Sequence, residues 1–231
     1  MRKSITAIFL LCISLFLCAA AYAQTNDNVA VISFVGDDDE AIFKQELETI
    51  KKAFTSQDGA FRAAESNYFT IDMQASFPEG FTDKTSEAMK KIAGKNNAVL
   101  VIALSSHGHQ GYLDRKNLAS IKYEDLFNTL LKNAFEAKPE VQIAVFLDAC
   151  YSGSAIEWLK VAGEGHKVSI YTSVDADHTG FGFFFSALRY VGSKDKYKSS
   201  DIGLTAEGYY VLRKLMDGTT KNALIGDWNS Y

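Results

Sequence analysis

A histidine and a cysteine each stand just after an apolar stretch of the chain, at positions 107 and 150. The stretches 98–104 and 141–147 are rich in β-branched residues, as buried strands are. A cysteine thiolate is a strong nucleophile, and a nearby imidazole can take the thiol proton and later give it to a leaving group. The pair therefore predicts acyl-transfer chemistry, with Cys150 as nucleophile and His107 as its acid–base partner.

Acyl transfer also needs hydrogen-bond donors for the negative charge that develops on the attacked carbonyl oxygen. The backbone N–H groups of Gly108 and Cys150 are candidates for this role. Glycine at positions 108 and 153 lets a substrate backbone approach closely, because glycine has no side chain. We therefore predict Gly108 as the third member of the catalytic set.

Histidine and cysteine residues also serve in other kinds of site, and the spacing here limits which of them are possible. His109 follows His107 by two positions, so spacing alone does not decide which of them serves the cysteine. A cysteine-based phosphatase needs arginine six residues after its nucleophile, where Ile156 stands. A zinc site needs more cysteines or paired histidines at other spacings. We expect no metal site and no cofactor.

Alternating strand and helix patterns surround these residues. Apolar runs predict strands at 29–35, 68–73, 98–104, 141–147 and 168–172, and helical spacing predicts helices at 40–54, 82–93, 123–135, 183–190 and 205–216. Such alternation predicts an α/β fold, with a mostly parallel sheet covered on both faces. Ligand sites of these sheets lie beyond the carboxyl ends of the strands, so the polar clusters that follow strands should share one edge.

The amino terminus has the pattern of an export signal. Arg2 and Lys3 precede an apolar run at 5–17, and Ala21-Tyr22-Ala23 supplies small residues for cleavage. We predict a signal peptide at 1–23, a single domain at 24–231 and a secreted or periplasmic protein. No later run reaches the ~18 apolar residues of a membrane span.

The number of cysteines and the net charge limit which classes of protein this sequence can belong to. Of three cysteines, Cys12 and Cys18 lie in the predicted signal, so Cys150 alone stays and no internal disulfide is possible. A lone thiol of an exported protein is either buried and inert or in use. Removal of the signal leaves 22 basic against 28 acidic side chains, which argues against nucleic-acid or anionic-membrane binding.

Two motifs together carry a family resemblance. Ser105-Ser106-His107-Gly108 after one strand, and Asp148-Ala149-Cys150-Tyr151-Ser152-Gly153 after the next, resemble the paired signature of the caspase, metacaspase, clostripain and legumain superfamily of cysteine peptidases. The stretch 182–188 resembles the segment after the fifth strand in caspases and bacterial legumain-like proteins. This resemblance, over about residues 29–215, implies a caspase-like three-layer α/β/α sandwich. It also implies a His107–Cys150 dyad, an oxyanion hole of backbone N–H groups and a peptide or protein substrate.

Carboxylates near the nucleophile suggest a specificity. Asp148 lies two residues before Cys150, so it should border the pocket for the residue preceding the scissile bond. Asp37, or a neighbouring aspartate, and Asp175 are candidates for a second carboxylate from another strand end. A carboxylate pair favours a cationic side chain and suits the fork of arginine better than lysine.

Three alternatives stay open at this stage. Asp148 can instead hydrogen-bond local backbone N–H groups. A legumain-like asparaginyl peptidase or transpeptidase would cleave after asparagine, and a degenerate caspase-like domain would only bind peptides. Metacaspases can be calcium-activated, but the acidic run 37–40 lacks the spacing of a dedicated calcium loop. The sequence does not indicate an oligomeric state.

Overall fold

The computed structural model describes residues 25–37, 43, 45–56, 61–179, 184, 185, 188 and 224–227. The predicted signal peptide, the predicted helix 205–216, Asp38 and Asp39 lie outside these residues. Of the predicted helix 183–190, residues 184, 185 and 188 are described, and they are helical. The assignment of 24–231 to a single domain stays a prediction.

The described residues form two sheets. The strands are β1 (Val29–Val35), β2 (Tyr68–Ile71), β3 (Val99–Ser105), β4 (Gly108–His109), β5 (Tyr112–Arg115), β6 (Leu118–Lys122), β7 (Gln142–Asp148), β8 (Val168–Thr172) and β9 (Leu224–Asp227). The large sheet has the order β2-β1-β3-β7-β8-β9, and the small sheet has the order β4-β5-β6. All pairs of the large sheet are parallel except β8 with β9. The mostly parallel sheet predicted from the sequence is confirmed.

Helices cover both faces of the large sheet. They are α1 (Glu46–Thr55), α2 (Glu79–Ile92), α3 (Tyr123–Ala137) and α4 (Ile156–Ala162). Buried residues of α2, α3 and α4 pack on one face, and those of α1 pack on the other together with Phe184, Phe185 and Leu188. This three-layer α/β/α arrangement confirms the predicted fold class. In the described part of the chain, no helix is long and apolar enough to cross a membrane.

Alternation along the strands explains the two packed faces. In β1, Ala30, Ile32 and Phe34 face α2 and α3, whereas Val29 and Val31 belong to the cluster that α1 covers. All seven residues of β1, and all seven of β3, are buried. A parallel strand buried on both faces needs a continuous apolar run, which is the pattern that the sequence shows.

One predicted helix start was wrong, and one small sheet was not predicted. Helix α2 begins at Glu79 rather than at Thr82, because the Thr82 N–H already donates to the Pro78 carbonyl within the first turn. The small antiparallel sheet β4–β6, which directly follows His107, was not predicted. Its strands have only two buried residues, Leu113 and Ile121, which are register partners, so no long apolar run marks it.

Candidate active site

The carboxyl ends of β3 and β7 bring the predicted nucleophile and base to the same edge of the sheet. The two strands are parallel neighbours, and their last residues, Ser105 and Asp148, are register partners. The Ser106 N–H donates to the Asp148 carbonyl over 3.0 Å, which extends the pairing by one residue. His107 and Cys150 therefore each leave the sheet two residues beyond a paired position.

Gly108 lies against the loop that carries Cys150. A Cβ atom at position 108 would stand 2.9 Å from the Cys150 carbonyl oxygen and 3.1 Å from the Ala149 Cβ. Real Cβ atoms do not come that close to a backbone oxygen, so only glycine fits without a shift of one loop. The structure thus brings His107, Gly108 and Cys150, the three predicted catalytic residues, into adjoining loops.

His107 has an acidic and an aromatic neighbour. Its Nε2 lies 3.9 Å from Asp37 Oδ2, and the Phe43 ring meets the imidazole edge-on with centroids 5.1 Å apart. About 45% of the His107 side chain is exposed. Asp37, predicted to bind substrate, therefore lies beside His107, where a carboxylate can orient an imidazole ring.

His109 has a different surrounding from His107. Its Nδ1 lies 3.0 Å from Asp114 Oδ1, and its ring stacks on Tyr112 at 4.6 Å. The Ser120 hydroxyl donates to the same Asp114 oxygen over 2.6 Å. His109 thus belongs to the β4–β6 sheet and pairs with a residue of that sheet. This difference in surroundings distinguishes His109 from His107, which spacing alone did not.

Cys150 stands at a sharp turn after β7. Tyr151 has a φ of 57°, in the left-handed region that non-glycine residues seldom adopt, and a 3-10 helix, Ser152–Ala155, follows. The Tyr151 N–H donates to the His178 carbonyl over 2.8 Å, which holds the turn. Cys150 is half-buried and forms no disulfide. Strained turns of this kind concentrate at functional sites.

Asp175 is another of the predicted substrate-binding aspartates, and its backbone lies close to the turn that follows Cys150. A Cβ at Gly153 would stand 2.5 Å from the Asp175 carbonyl carbon. The Asp175 carboxylate, however, accepts a 2.5 Å hydrogen bond from His178 Nδ1. This hydrogen bond and that of the Asp177 N–H hold the pKa of Asp175 below its usual value.

Asp148, two residues before Cys150, is buried, with 2% of its surface exposed. The Phe184 N–H, from a distant segment of the chain, donates to Asp148 Oδ2 over 3.2 Å. Hydrogen bonding of Asp148 to local backbone N–H groups was the alternative to its predicted role in substrate binding. Burial raises the pKa of Asp148 to about 6, against the opposing hydrogen bonds of Ser173 and Phe184.

Glu46, which the sequence analysis did not single out, is a second buried acid coupled to Asp148. It is 4% exposed, and its Oε1 has no hydrogen-bond partner among the described residues. Burial, and then the charge of Asp148, raise the pKa of Glu46 to about 8. Glu46 lies on the face of α1 that also buries Ile50, Ala53 and Phe54. In the sequence, Glu46 could have been recognised as an acidic residue at a position where the helical spacing of α1 calls for an apolar one.

The acid pair predicts an unusual pH dependence of stability. The folded protein keeps protons on Glu46 and Asp148 that the unfolded chain, with ordinary pKa values of 4.5 and 3.8, releases. The free energy of unfolding should therefore fall as pH rises from about 4 to about 8. We expect Glu46→Gln to remove most of this pH-dependent fall in the free energy of unfolding. The part removed should be on the order of 2–4 kcal/mol. Urea unfolding of the wild type and of Glu46→Gln at pH 5 and pH 8.5 measures this difference. An equal fall in the free energy of unfolding in both proteins would contradict the prediction.

No group of three or more histidine, cysteine, aspartate or glutamate side chains is placed to hold a metal ion within the described ranges. A search of the curated proteins gave no significant match. Among solved structures, the chain is similar to caspase-1 from Spodoptera frugiperda, at 14% identity and a TM-score of 0.42. That similarity covers 72% of this chain and 71% of the caspase chain.

The model of the peptidase C13 family matches residues 29–206. This range contains every strand and helix described above except β9, and it includes His107, Cys150 and the buried acid pair. The chain therefore belongs to the peptidase C13 family, within the caspase-like superfamily of cysteine peptidases.

Proposed function

We propose that the protein is a secreted cysteine endopeptidase that uses a His107–Cys150 dyad and cleaves after basic residues. Membership of the peptidase C13 family establishes the class, a cysteine-type peptidase that acts on proteins or peptides. The observation that supports the dyad is the close approach of the segments that carry His107 and Cys150, since a Cβ at Gly108 would lie only 2.9 Å from the Cys150 carbonyl oxygen. The export pattern at 1–23 supports secretion.

The proposed reaction begins with transfer of the Cys150 thiol proton to His107. The thiolate sulfur attacks the substrate carbonyl carbon, and the carbonyl oxygen takes the negative charge. Backbone N–H groups of Gly108 and Cys150 stabilise this oxyanion. The intermediate collapses to a thioester as the C–N bond breaks, and the imidazolium gives its proton to the departing amine.

Hydrolysis of the thioester reverses the roles of the same groups. His107 takes a proton from water, and the hydroxide oxygen attacks the thioester carbon. The C–S bond then breaks, and the imidazolium returns its proton to the sulfur, which restores the Cys150 thiol and the neutral His107. Asp37 Oδ2 lies 3.9 Å from His107 Nε2, where it can orient the imidazole ring in both stages. Asp37 is therefore a positioning residue in this scheme.

Asp148 supports the preference for a basic residue before the scissile bond. It is buried two residues ahead of the nucleophile, where a cationic side chain gains most from a charge-assisted hydrogen bond. Asp37 and Asp175, the other aspartates considered for this pocket, lie next to His107 and His178 instead. The proposed basic specificity therefore depends on Asp148 first.

Cleavage after asparagine is the second candidate, and two observations favour it. Peptidase C13 is the legumain family. Burial also raises the pKa of Asp148 to about 6, so below that pH a protonated carboxyl there can both donate to and accept from a side-chain amide. A domain that only binds peptides is the third candidate, which the labelling experiment at the end of the Discussion tests.

Matched fluorogenic peptides that end in Arg, Lys, Asn or Asp test the specificity. We expect the order Arg, Lys, Asn, Asp in kcat/KM, and a loss of roughly 100-fold toward the Arg peptide in Asp148→Asn, because the buried cation loses its counter-charge. Asp125→Asn, at an exposed position of α3, is the matched control and should retain full activity. Cleavage after Asn with none after Arg would instead support the second candidate.

A further inference from the structure

The hairpin that follows His107 is held at its tip by two backbone hydrogen bonds. Gly111 stands in the turn between β4 and β5, where its φ of 82° favours glycine. The Gly111 carbonyl accepts from the N–H of Tyr123, the first residue of α3, over 2.9 Å. The Gly111 N–H donates to the hydroxyl oxygen of Ser154 over 3.0 Å. The tip is therefore attached both to a buried helix and to the segment after the nucleophile.

Ser154 belongs to the turn that follows Cys150. Its hydroxyl donates to the Tyr151 carbonyl over 2.7 Å, and its N–H donates to the same carbonyl over 2.9 Å. A hydroxyl has one donor and two acceptor positions, so Ser154 can donate to Tyr151 while it accepts from Gly111. One side-chain oxygen thus joins the turn that carries the nucleophile to the hairpin that follows His107.

This hairpin carries both the proposed base and a proposed oxyanion donor. The Asp114 N–H donates to the His107 carbonyl over 3.0 Å, so His107 is part of the hairpin backbone pairing. Gly108 follows it, against the Cys150 carbonyl. A shift of the hairpin relative to the turn would displace the imidazole and the Gly108 N–H together. Proton transfer and oxyanion stabilisation both need hydrogen-bond distances, so a link at the hairpin tip affects both.

We propose that Ser154 is a positioning residue, whose hydroxyl fixes the hairpin of His107 relative to Cys150. This inference rests on the proposed His107–Cys150 dyad. Alanine at position 154 removes the link to Gly111 but keeps the backbone hydrogen bond to the Tyr151 carbonyl. The turn itself should therefore keep its shape, and the change should affect the alignment of the two loops.

The first test compares Ser154→Ala with wild type on fluorogenic peptides that end in Arg, Lys, Asn or Asp, using the one that the wild type cleaves fastest. We expect kcat to fall roughly 20-fold and KM to change less than about twofold, because the reacting groups are displaced while substrate contacts stay. Ser154→Thr keeps the hydroxyl and should stay within about threefold of wild-type kcat. Circular dichroism and the thermal midpoint check folding.

Ser56→Ala is the matched control for this loss. The Ser56 hydroxyl also donates to a backbone carbonyl nearby in sequence, that of Lys52, over 2.6 Å. Ser56 lies at the end of α1, outside the hairpin and the turn, so its removal should leave kcat unchanged.

Alkylation of Cys150 by iodoacetamide shows whether Ser154 acts through His107. This small reagent needs no peptide-binding site, so its rate reports the nucleophile and its base. We expect Ser154→Ala to slow alkylation roughly 10-fold when His107 is present. In the His107→Ala background the same change should have no effect, because the base that Ser154 positions is already lost.

A Ser154→Ala kcat within threefold of wild type, or equal slowing of alkylation in both backgrounds, would overturn this inference while leaving the proposed function intact. It would also be overturned by a Ser154→Thr protein as slow as Ser154→Ala, or by loss of the fold in Ser154→Ala. A folded wild-type protein that cleaves none of the four peptides, and is alkylated no faster than His107→Ala, would overturn both.

Discussion

Cys150→Ala is expected to lower peptide hydrolysis on the order of 10⁴-fold or more, because the atom that forms the covalent intermediate is removed. The fold should persist, since alanine is close to cysteine in volume and a thiol makes at most weak hydrogen bonds. The measurement is kcat/KM on the preferred fluorogenic peptide, with circular dichroism and the thermal midpoint as checks of folding.

Cys150→Ser is the matched control for this loss. It keeps a hydroxyl at the position of the thiol, and it should be nearly as inactive, because a neutral hydroxyl is a far weaker nucleophile than a thiolate. A folded Cys150→Ala protein that retains a tenth of wild-type activity would show that another residue performs the attack.

His107→Ala is expected to lower kcat roughly 10³-fold, with a smaller change in KM, because both proton transfers lose their carrier. His109→Ala should stay within about threefold of wild type, since the imidazole pairs with Asp114 in the β4–β6 sheet rather than with the nucleophile. Steady-state kinetics of both variants on one peptide make the comparison.

His109→Ala is the matched control for His107→Ala, because the two histidines are two positions apart and similarly exposed. An inactive His109→Ala together with an active His107→Ala would reverse the assignment of the base. Equal losses in both variants would indicate that disturbance of the hairpin, rather than proton transfer, causes the effect.

The large sheet could be predicted because its strands are marked by local patterns. Strands β1 and β8 have the predicted bounds, and β3 and β7 are displaced by one residue. Each is a continuous apolar run buried on both faces, and such runs need no tertiary information to be recognised. Since the ends of parallel strands meet at one edge, the neighbouring positions of His107 and Cys150 followed from the strand assignment.

The small sheet β4–β6 and the partners of the acidic residues could not be predicted in this way. Short, half-exposed strands lack an apolar run, and their pairing is set by turns. Asp37 lies beside His107 and the Asp175 carboxylate beside His178. Whether a carboxylate meets a histidine or a substrate pocket depends on loop geometry, which local sequence patterns do not specify. Glu46 becomes significant only when its burial and its coupling to Asp148 are known.

The central claim, a cysteine nucleophile activated by His107, is tested most directly by covalent labelling. The wild-type protein is treated with a peptidyl acyloxymethyl ketone that ends in arginine, and the adduct is located by intact-mass measurement and peptide mapping. We predict one adduct per molecule, on Cys150, formed at least about 100-fold more slowly in His107→Ala and at the wild-type rate in His109→Ala. Absence of an adduct on Cys150 in the folded wild-type protein, or an equal labelling rate in His107→Ala, would contradict the claim.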